Sequence, residues 1–405
     1  MTDTPLSGLL DEASELLEEA VELRRRIHLQ PEVGLELPET QKKILEALDG
    51  LGYEITTGQR TSSVVATLDG AHQGPTVLLR GDMDALPMPE DTGLDFASEV
   101  PNAMHACGHD THVAMLATAA KLIARHRDRL HGRVLLMFQP GEEGHFGAKV
   151  MIEEGLLDGE RAPAAAFAIH ITAIDPAGQI STKGGPLAAS ADTLFIDVKG
   201  RGGHASAPHN ALDPIAVAAH VILGLQTMIT RTVDVFDPAV ITIAHVEAGT
   251  TDNVIPEAAA LEGTLRALTP KSRQGVMERA QRLVRSIGEA YGAEADLRID
   301  QGYPPTINDP EMAEFSLQVA REVLGENDVE AMETPIMGAE DFSYVLQRIP
   351  GAMVRLGAAP PGVERPAPNH SNRMVVHEPA MTHGIAMHAG WALSYLDGSR
   401  PSPAR

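Results

Sequence analysis

A second cysteine is missing from this chain: Cys107 stands alone, so no internal disulfide can form and its thiol is either free or a ligand. Basic charge is scarce as well. The 32 Lys and Arg residues face 56 Asp and Glu, giving a formal net charge of -24 and a pI near 5.0. Such a surface repels phosphate backbones and anionic lipid, which argues against nucleic-acid and membrane-surface partners. No run in the sequence approaches the ~18 apolar residues of a membrane span. The start, MTDTPLSGLLDEASELLEEA, is acidic and amphipathic, without the basic stretch and apolar core of a signal peptide. Repeats and low-complexity segments are lacking too. A soluble, cytoplasmic protein acting on small molecules or proteins is expected.

What is present suits a large globular chain. At 405 residues, 43% of them apolar, it exceeds what one core usually supports, so two domains are expected. Ser14–Gln30 and Leu37–Leu51 space their apolar residues as amphipathic helices do, whereas Ser63–Leu68, Thr76–Leu79 and Val134–Phe138 are short β-rich runs. Asp110 or Thr111 is positioned to cap a helix over Val113–Ala124. A Gly/Pro break at Lys183-Gly184-Gly185-Pro186 separates this α/β region from a β-α-β-β-α-β order, running from strand Leu194–Lys199 to strand Ala295–Ile299. That order is the ferredoxin-like arrangement, inserted as a unit. The expected division is 1–186, 187–302 and 303–405, with α/β texture returning after Tyr303-Pro304-Pro305.

The densest chemistry lies in NAMHACGHDTH (Asn102–His112) and in FQPGEEGH, which carries Glu142-Glu143. A thiolate, imidazoles and a carboxylate together suit borderline-soft divalent ions such as zinc, with manganese, nickel or cobalt admitted as oxygen donors increase. Cys107 and His109 are two apart, and the glycine between them lets a tight backbone aim both at one point. The alternative is a small buried hydrophobe beside a capping or surface histidine. For His105 and His112 nothing in the sequence fixes a direction, and a hydrogen-bonded or surface role is the simpler account. Glu142-Glu143 follows a strand and a Pro-Gly turn, so the adjacent side chains point different ways; one can bind metal while the other serves as general base, unless both are merely solvated. Asp82 and Asp84, in RGDMDALP, read either as loop caps or as facing one side, with Asp84 aligning a ligand imidazole. His170 ends an apolar run and reads as a core histidine or a ligand at a strand tip. His370, in PAPNHSNR, reads as a surface residue or a ligand.

RGDMDALP, HACGHDTH, the Glu-Glu pair after a strand, GRGGHASAPHNALDPI, DNVIPEAAALEGTLR, MGAEDFSYVLQRIPGA and NHSN occur in one order along nearly the whole chain. Together they resemble the aminoacylase, hippurate hydrolase and auxin-conjugate amidohydrolase family of dinuclear metallopeptidases. That resemblance implies a zinc-carboxypeptidase-like α/β catalytic domain with an inserted ferredoxin-like lid and dimerisation domain. It makes Cys107, His109, Glu143, His170 and His370 ligands of two divalent ions, Glu142 the general base and Asp84 its supporting carboxylate. His204, in the Gly-Gly-His-Ala turn, becomes an oxyanion donor that reaches a neighbouring subunit's site, so a homodimer or homotetramer is expected. Asn253 and Arg266 become candidates to hold the substrate's oxyanion or carboxylate, and Gly338 to shape the pocket floor. Asn253 and Arg266 read equally as a strand-end hydrogen bond and an exposed charge. AIHIT around His170, and the lack of an aromatic after NHSN, depart from the family pattern and bear on substrate preference. The implied reaction is amide hydrolysis: water gives a proton to Glu142, attacks the carbonyl, and Glu142 returns the proton to the leaving nitrogen. The expected substrate is an N-acyl amino acid or related aminoacyl conjugate. A dipeptidase or N-carbamoyl amide hydrolase, and a non-catalytic metal-binding protein, are the alternatives.

Overall fold

Short runs rich in Val, Leu and Phe form strands because both their faces can be buried between helices. In chain order the computed structural model, which describes Leu6 and residues 8–397, runs α1 (Leu17–His28), α2 (Pro38–Leu48), β1 (Glu54–Thr57), β2 (Val64–Asp69), β3 (His72–Asp82), α3 (His109–Arg125), β4 (His131–Gln139), α4 (Gly147–Glu153), β5 (Pro163–Thr172) and β6 (Ile180–Thr182). Then follow β7 (Asp192–Lys199), α5 (Pro214–Thr232), β8 (Ala239–Ala248), β9 (Ala258–Ala267), α6 (Pro270–Tyr291) and β10 (Glu294–Gln301). The chain closes with α7 (Pro310–Leu324), β11 (Val329–Ala331), β12 (Gly351–Gly357) and α8 (Met381–Tyr395). The outer limits of the first and last expected segments fall on residues outside those described.

The first of two compact units comprises the chain to Gly185, Ile307–Glu333 and the part from Tyr344 onwards. Its eight-stranded sheet has the order β1-β2-β4-β3-β5-β12-β6-β11. The neighbours β4, β3, β5 and β12 are parallel, so their carboxyl ends open on one edge, where sites in such sheets form. Val77, Leu78, Leu79 and Phe138 are fully buried, as strands covered on both faces require. Helices α3 and α8 are buried along nearly their whole length, and Phe167 of β5 stacks on Trp391 of α8 with ring centroids 5.1 Å apart. Helix α3 starts earlier than the sequence suggested: His109 is its first residue and Gly108, in a left-handed conformation, precedes it without a side-chain cap. Asp110 and Thr111 therefore lie inside the first turn, where the Asp110 charge favours the helix dipole.

The second unit comprises Pro186–Thr306 with Thr334–Ser343. Its β7-α5-β8-β9-α6-β10 succession forms an antiparallel sheet of order β8-β9-β7-β10. Val217, Val221 and Leu225 of α5 and Val276 and Val284 of α6 join strand residues Leu194, Ile196 and Leu265 in a separate core. Residues 334–343, expected with the C-terminal part, pack here because Ile336 N–H donates to Leu187 O and Ala189 N–H to Gly338 O. Helix α5 bears on the expected absence of long apolar runs. Among the described residues it is the one helix long and apolar enough, by length and composition, to cross a membrane. His220 and Gln226 break the run only on the face away from Val217, Val221, Leu225 and Met228, which are buried.

In the first unit a charged network ties α1 to α3. Arg24 Nε donates to Asp110 Oδ2 at 2.7 Å, His28 Nδ1 meets the same oxygen at 2.8 Å, and Arg24 Nη1 reaches Glu378 Oε1 at 2.9 Å. Although burial pushes the Asp110 carboxyl upward, Arg24 and His28 hold it far below the usual carboxylate range. Both Arg24 and Asp110 are buried, so Arg24→Met would leave the Asp110 carboxylate inside the protein with His28 as its remaining cationic partner. A loss of about 3–5 kcal/mol is expected in denaturant unfolding; a loss under about 1 kcal/mol would refute the dependence on this pair.

Candidate active site

Each candidate ligand of the first unit is delivered by the end of a regular element. Cys107 and His109 sit at the start of α3, Glu142 and Glu143 in the turn after β4, His170 near the end of β5, and His370 in the loop after β12. Gly108 makes the first of these placements possible. Its φ is +90°, and a Cβ there would lie 2.4 Å from Ile171 Cγ2, so both backbone and space exclude a side chain. Gly108→Ala is expected to cost about 2 kcal/mol through strain and overpacking and to weaken metal binding. Unchanged thermal midpoint and metal affinity together would contradict this.

Cys107 Sγ lies 3.5 Å from His170 Nε2. The His170 Nδ1–H donates to Ile171 O at 2.7 Å, and the His109 Nδ1–H to Asp84 O at 2.9 Å. Both rings thereby keep a proton on Nδ1 and leave Nε2 as the nitrogen available to a metal. His370 Nε2 is 3.2 Å from Glu143 Oε1. Its backbone is left-handed, with φ 69°, a cost for a non-glycine residue that recurs at functional loops. The neighbouring Asn369, which the motif reading passed over, fastens this loop: its amide donates to Cys107 O and Ile171 O at 3.0 and 3.1 Å.

Asp84 approaches the His109 ring with both its main chain and its carboxylate, Oδ1 lying 3.5 Å from Nδ1. Its main-chain carbonyl takes the His109 proton, while the carboxylate accepts the amides of Glu142 and Glu143 at 2.9 and 3.0 Å. One carboxylate thus fixes the turn that carries both acids. Asp84 and Glu142 are buried, whereas Glu143 is partly exposed.

Several donor sets converge within 4.8 Å: Cys107, His109 and His170; Cys107, Glu143 and His370; and His109, Glu142 and Glu143. His109 Nε2 is buried without a hydrogen bond; acids lie nearby, with Asp82 Oδ2 at 3.5 Å and Glu143 Oε1 at 4.0 Å. Burial alone would push the Cys107 thiol up, yet His170 and His109 hold it well below its ordinary value. Hydrogen bonds to Cys107 and Glu143 push His370 up to about 10. A buried imidazole nitrogen without a hydrogen bond, in a pocket of concentrated negative charge, fits a divalent cation, and the soft and hard donors fit the ions named above.

The remaining candidates belong to the second unit. His204 is exposed and pairs with Val254 across a two-residue ladder, and Ala205 N–H donates to Asn253 O at 3.1 Å, so His204 and Asn253 share one turn. The Ser206 amide donates to His204 Nδ1 at 3.1 Å, which leaves the ring proton on Nε2. Arg266, on β9, is half-buried; burial lowers its pKa against the pull of Asp192. Gly338 is exposed, with no steric demand for glycine, since the closest atom to a Cβ would be Ile336 Cδ1 at 3.7 Å. Glu340 accepts from Phe342 N at 2.9 Å, a local cap.

Residues 78–394 match the model of peptidase family M20/M25/M40. Thermostable carboxypeptidase 1 of Saccharolobus solfataricus is 37% identical over 96% of this chain and 98% of its own. N-acetylcysteine deacetylase of Bacillus subtilis is 40% identical over 83% of this chain and 87% of its own. The crystal structure of the Bacillus subtilis YXEP protein, described as a dinuclear metal-binding peptidase, superposes with a TM-score of 0.82 at 34% identity, covering 95% of this chain and 99% of that one. By the extent of these matches and the order of its motifs, the chain belongs to peptidase family M20/M25/M40.

Proposed function

We propose that this protein is a metal-dependent amidohydrolase that cleaves the amide bond of an N-acyl amino acid or a related aminoacyl conjugate. The observation that carries the reading is the Asp84 clamp: by holding the Glu142 and Glu143 amides, it sets two neighbouring carboxylates for separate work. Glu143 joins Cys107, His109, His170 and His370 as holders of two divalent ions, with zinc, manganese, nickel and cobalt as the candidates. Ions held there would polarise the amide carbonyl and acidify the attacking water. Glu142 takes the proton from that water and delivers it to the departing nitrogen, so no covalent intermediate on the protein is required. Cys107 is a ligand in this scheme and not a nucleophile.

The second unit serves as a ferredoxin-like lid and dimerisation domain in this proposal, joined through the Gly/Pro breaks near Gly184 and Pro304. Its β-α-β-β-α-β order supports the topology, and the exposed Ile215, Leu223, Val240 and Val246 supply apolar surface for a second copy. His204 then acts as an oxyanion donor, and Asn253 and Arg266 hold the oxyanion or carboxylate; a guanidinium pairs with a carboxylate in bidentate fashion. Gly338 contributes to the pocket floor.

The named relatives include a carboxypeptidase and an N-acetylcysteine deacetylase, so a peptidase acting on short peptides is the second reading. The test is hydrolysis of N-acetyl amino acids, hippurate, indole-acetyl amino acids and dipeptides, before and after chelation. Activity that disappears with the metal and returns on its replacement is expected, because thiolate, imidazole and carboxylate ligands must bind the ion to complete the site. Undiminished turnover by protein shown metal-free by elemental analysis would sink the mechanism.

A further inference from the structure

Below the candidate ligands runs a buried chain of side chains that the proposed reaction leaves without a task. Gln139 Oε1 accepts from Arg80 Nε at 2.9 Å, Arg80 Nη1 meets Asp82 Oδ2 at 2.6 Å, and Asp82 Oδ1 meets His112 Nδ1 at 2.5 Å. The Ile171 amide then donates to His112 Nε2 at 2.8 Å. Gln139, Arg80, Asp82 and His112 are all buried. The chain therefore links β4, β3, α3 and β5, the elements that carry or lead into Glu142, Glu143, His109 and His170.

His112 is the decisive member. A backbone N–H can only donate, so Nε2 is an acceptor and the ring proton resides on Nδ1, where it is given to Asp82. Both nitrogens are thus engaged, and although His112 falls within 4.8 Å of Asp82 and His109 as a possible donor set, it has no lone pair to spare for an ion. Its ring instead packs against two candidate ligands that are themselves 6.1 Å apart, stacked on His109 with centroids 5.4 Å apart and edge-on to His170 at 4.8 Å. We propose that the Gln139–Arg80–Asp82–His112 chain is a positioning relay in which His112, held at both nitrogens, sets the separation of the His109 and His170 imidazoles. The proposal rests on the amidohydrolase reading only in taking those two imidazoles as ligands. Arg80 neutralises Asp82, so the relay places rigidity beside the centre without adding a full negative charge to it.

Two substitutions cut the relay at different points. His112→Asn keeps a donor for Asp82 and loses the acceptor for Ile171, whereas His112→Gln keeps an acceptor for Ile171 and loses the donor. Measured on folded protein, each is expected to bind Co(II) and Zn(II) about 10–100-fold more weakly, with the thiolate-to-Co(II) absorption band retained because Cys107 still ligates. Unchanged affinity in both would reduce His112 to packing and overturn the relay. Abolished binding with a changed Co(II) spectrum would make His112 a ligand and overturn it too. Histidine ¹⁵N NMR of the unmodified protein gives a second reading, independent of whether the variants fold. The proton of His112 should be on Nδ1 both before and after Zn(II) is added, and protonation or metal ligation at Nε2 would refute the proposal. Failure of the unmodified protein to bind any divalent ion would instead sink the amidohydrolase reading, and the NMR spectrum would still decide the geometry of the chain.

Discussion

Glu142→Gln keeps the fold and the bound metal but lowers kcat by at least the ~10²-fold that accompanies loss of a positioned general base. Glu143→Ala does the reverse: its first effect is on metal occupancy. The contrast follows from the turn they share. Asp84 holds both backbone amides, so neither substitution removes the support of its neighbour, and the glutamine at 142 occupies nearly the same volume. Glu143 Oε1 is the atom placed toward His370 Nε2 and His109 Nε2, at 3.2 and 4.0 Å. Removing that carboxylate takes from His370 its acidic partner and from the centre one of its five proposed ligands, whereas removing the charge at Glu142 leaves all five in place. Metal content by elemental analysis and single-turnover hydrolysis separate the two effects. Equal metal loss in both variants would mean that the roles of these adjacent acids are assigned the wrong way round.

Much of this arrangement was legible because the sequence places chemistry at the ends of periodic segments. A β-rich run followed by Gln-Pro-Gly-Glu-Glu announces a strand that stops where two acids begin, and an apolar run ending in His170 announces the same for an imidazole. The contacts between segments were not legible. Nothing in RGDMDALP distinguishes Asp84, whose carboxylate clamps the Glu142 turn, from Asp82, which faces Arg80 and His112. Their directions depend on the parallel pairing of β3 with β4 and β5, a long-range choice that spacing along one segment does not encode. For His112 the sequence favours a hydrogen-bonded or surface role but names no partner, because its two hydrogen bonds go to residues thirty and fifty-nine positions away. Arg24 and His28, in RRRIHLQPEVG, also carried no local sign of the buried Asp110 they serve. The start of α3 differs from the expected one because Asp110 and Thr111 are good capping residues by type, yet Gly108 takes the left-handed turn that lets the helix begin at His109.

His204→Ala is expected to lower activity by about 10²–10³-fold, the loss typical of a missing oxyanion donor, with little change in metal content. The geometry that prompts this is the Ser206 amide on Nδ1, which fixes the neutral tautomer with its proton on Nε2, on an exposed residue of the second unit. An exposed imidazole with a committed donor proton serves best where another surface closes over it and excludes water. If that surface belongs to a second copy of the chain, His204→Ala and Glu142→Gln are each nearly inactive alone, yet their mixture regains activity. A heterodimer holds one site with both residues intact, so equal mixing with free subunit exchange should recover about a quarter of the unmodified rate for a two-fold dimer. Recovery above the sum of the two variants would establish that the site is shared between subunits. Absence of recovery, with subunit exchange and an intact dimer verified, would assign His204 to its own chain or to the fold of its turn. Amide hydrolysis through Glu142 would stand unchanged in that case, because Glu142 and the five proposed ligands all belong to the first unit.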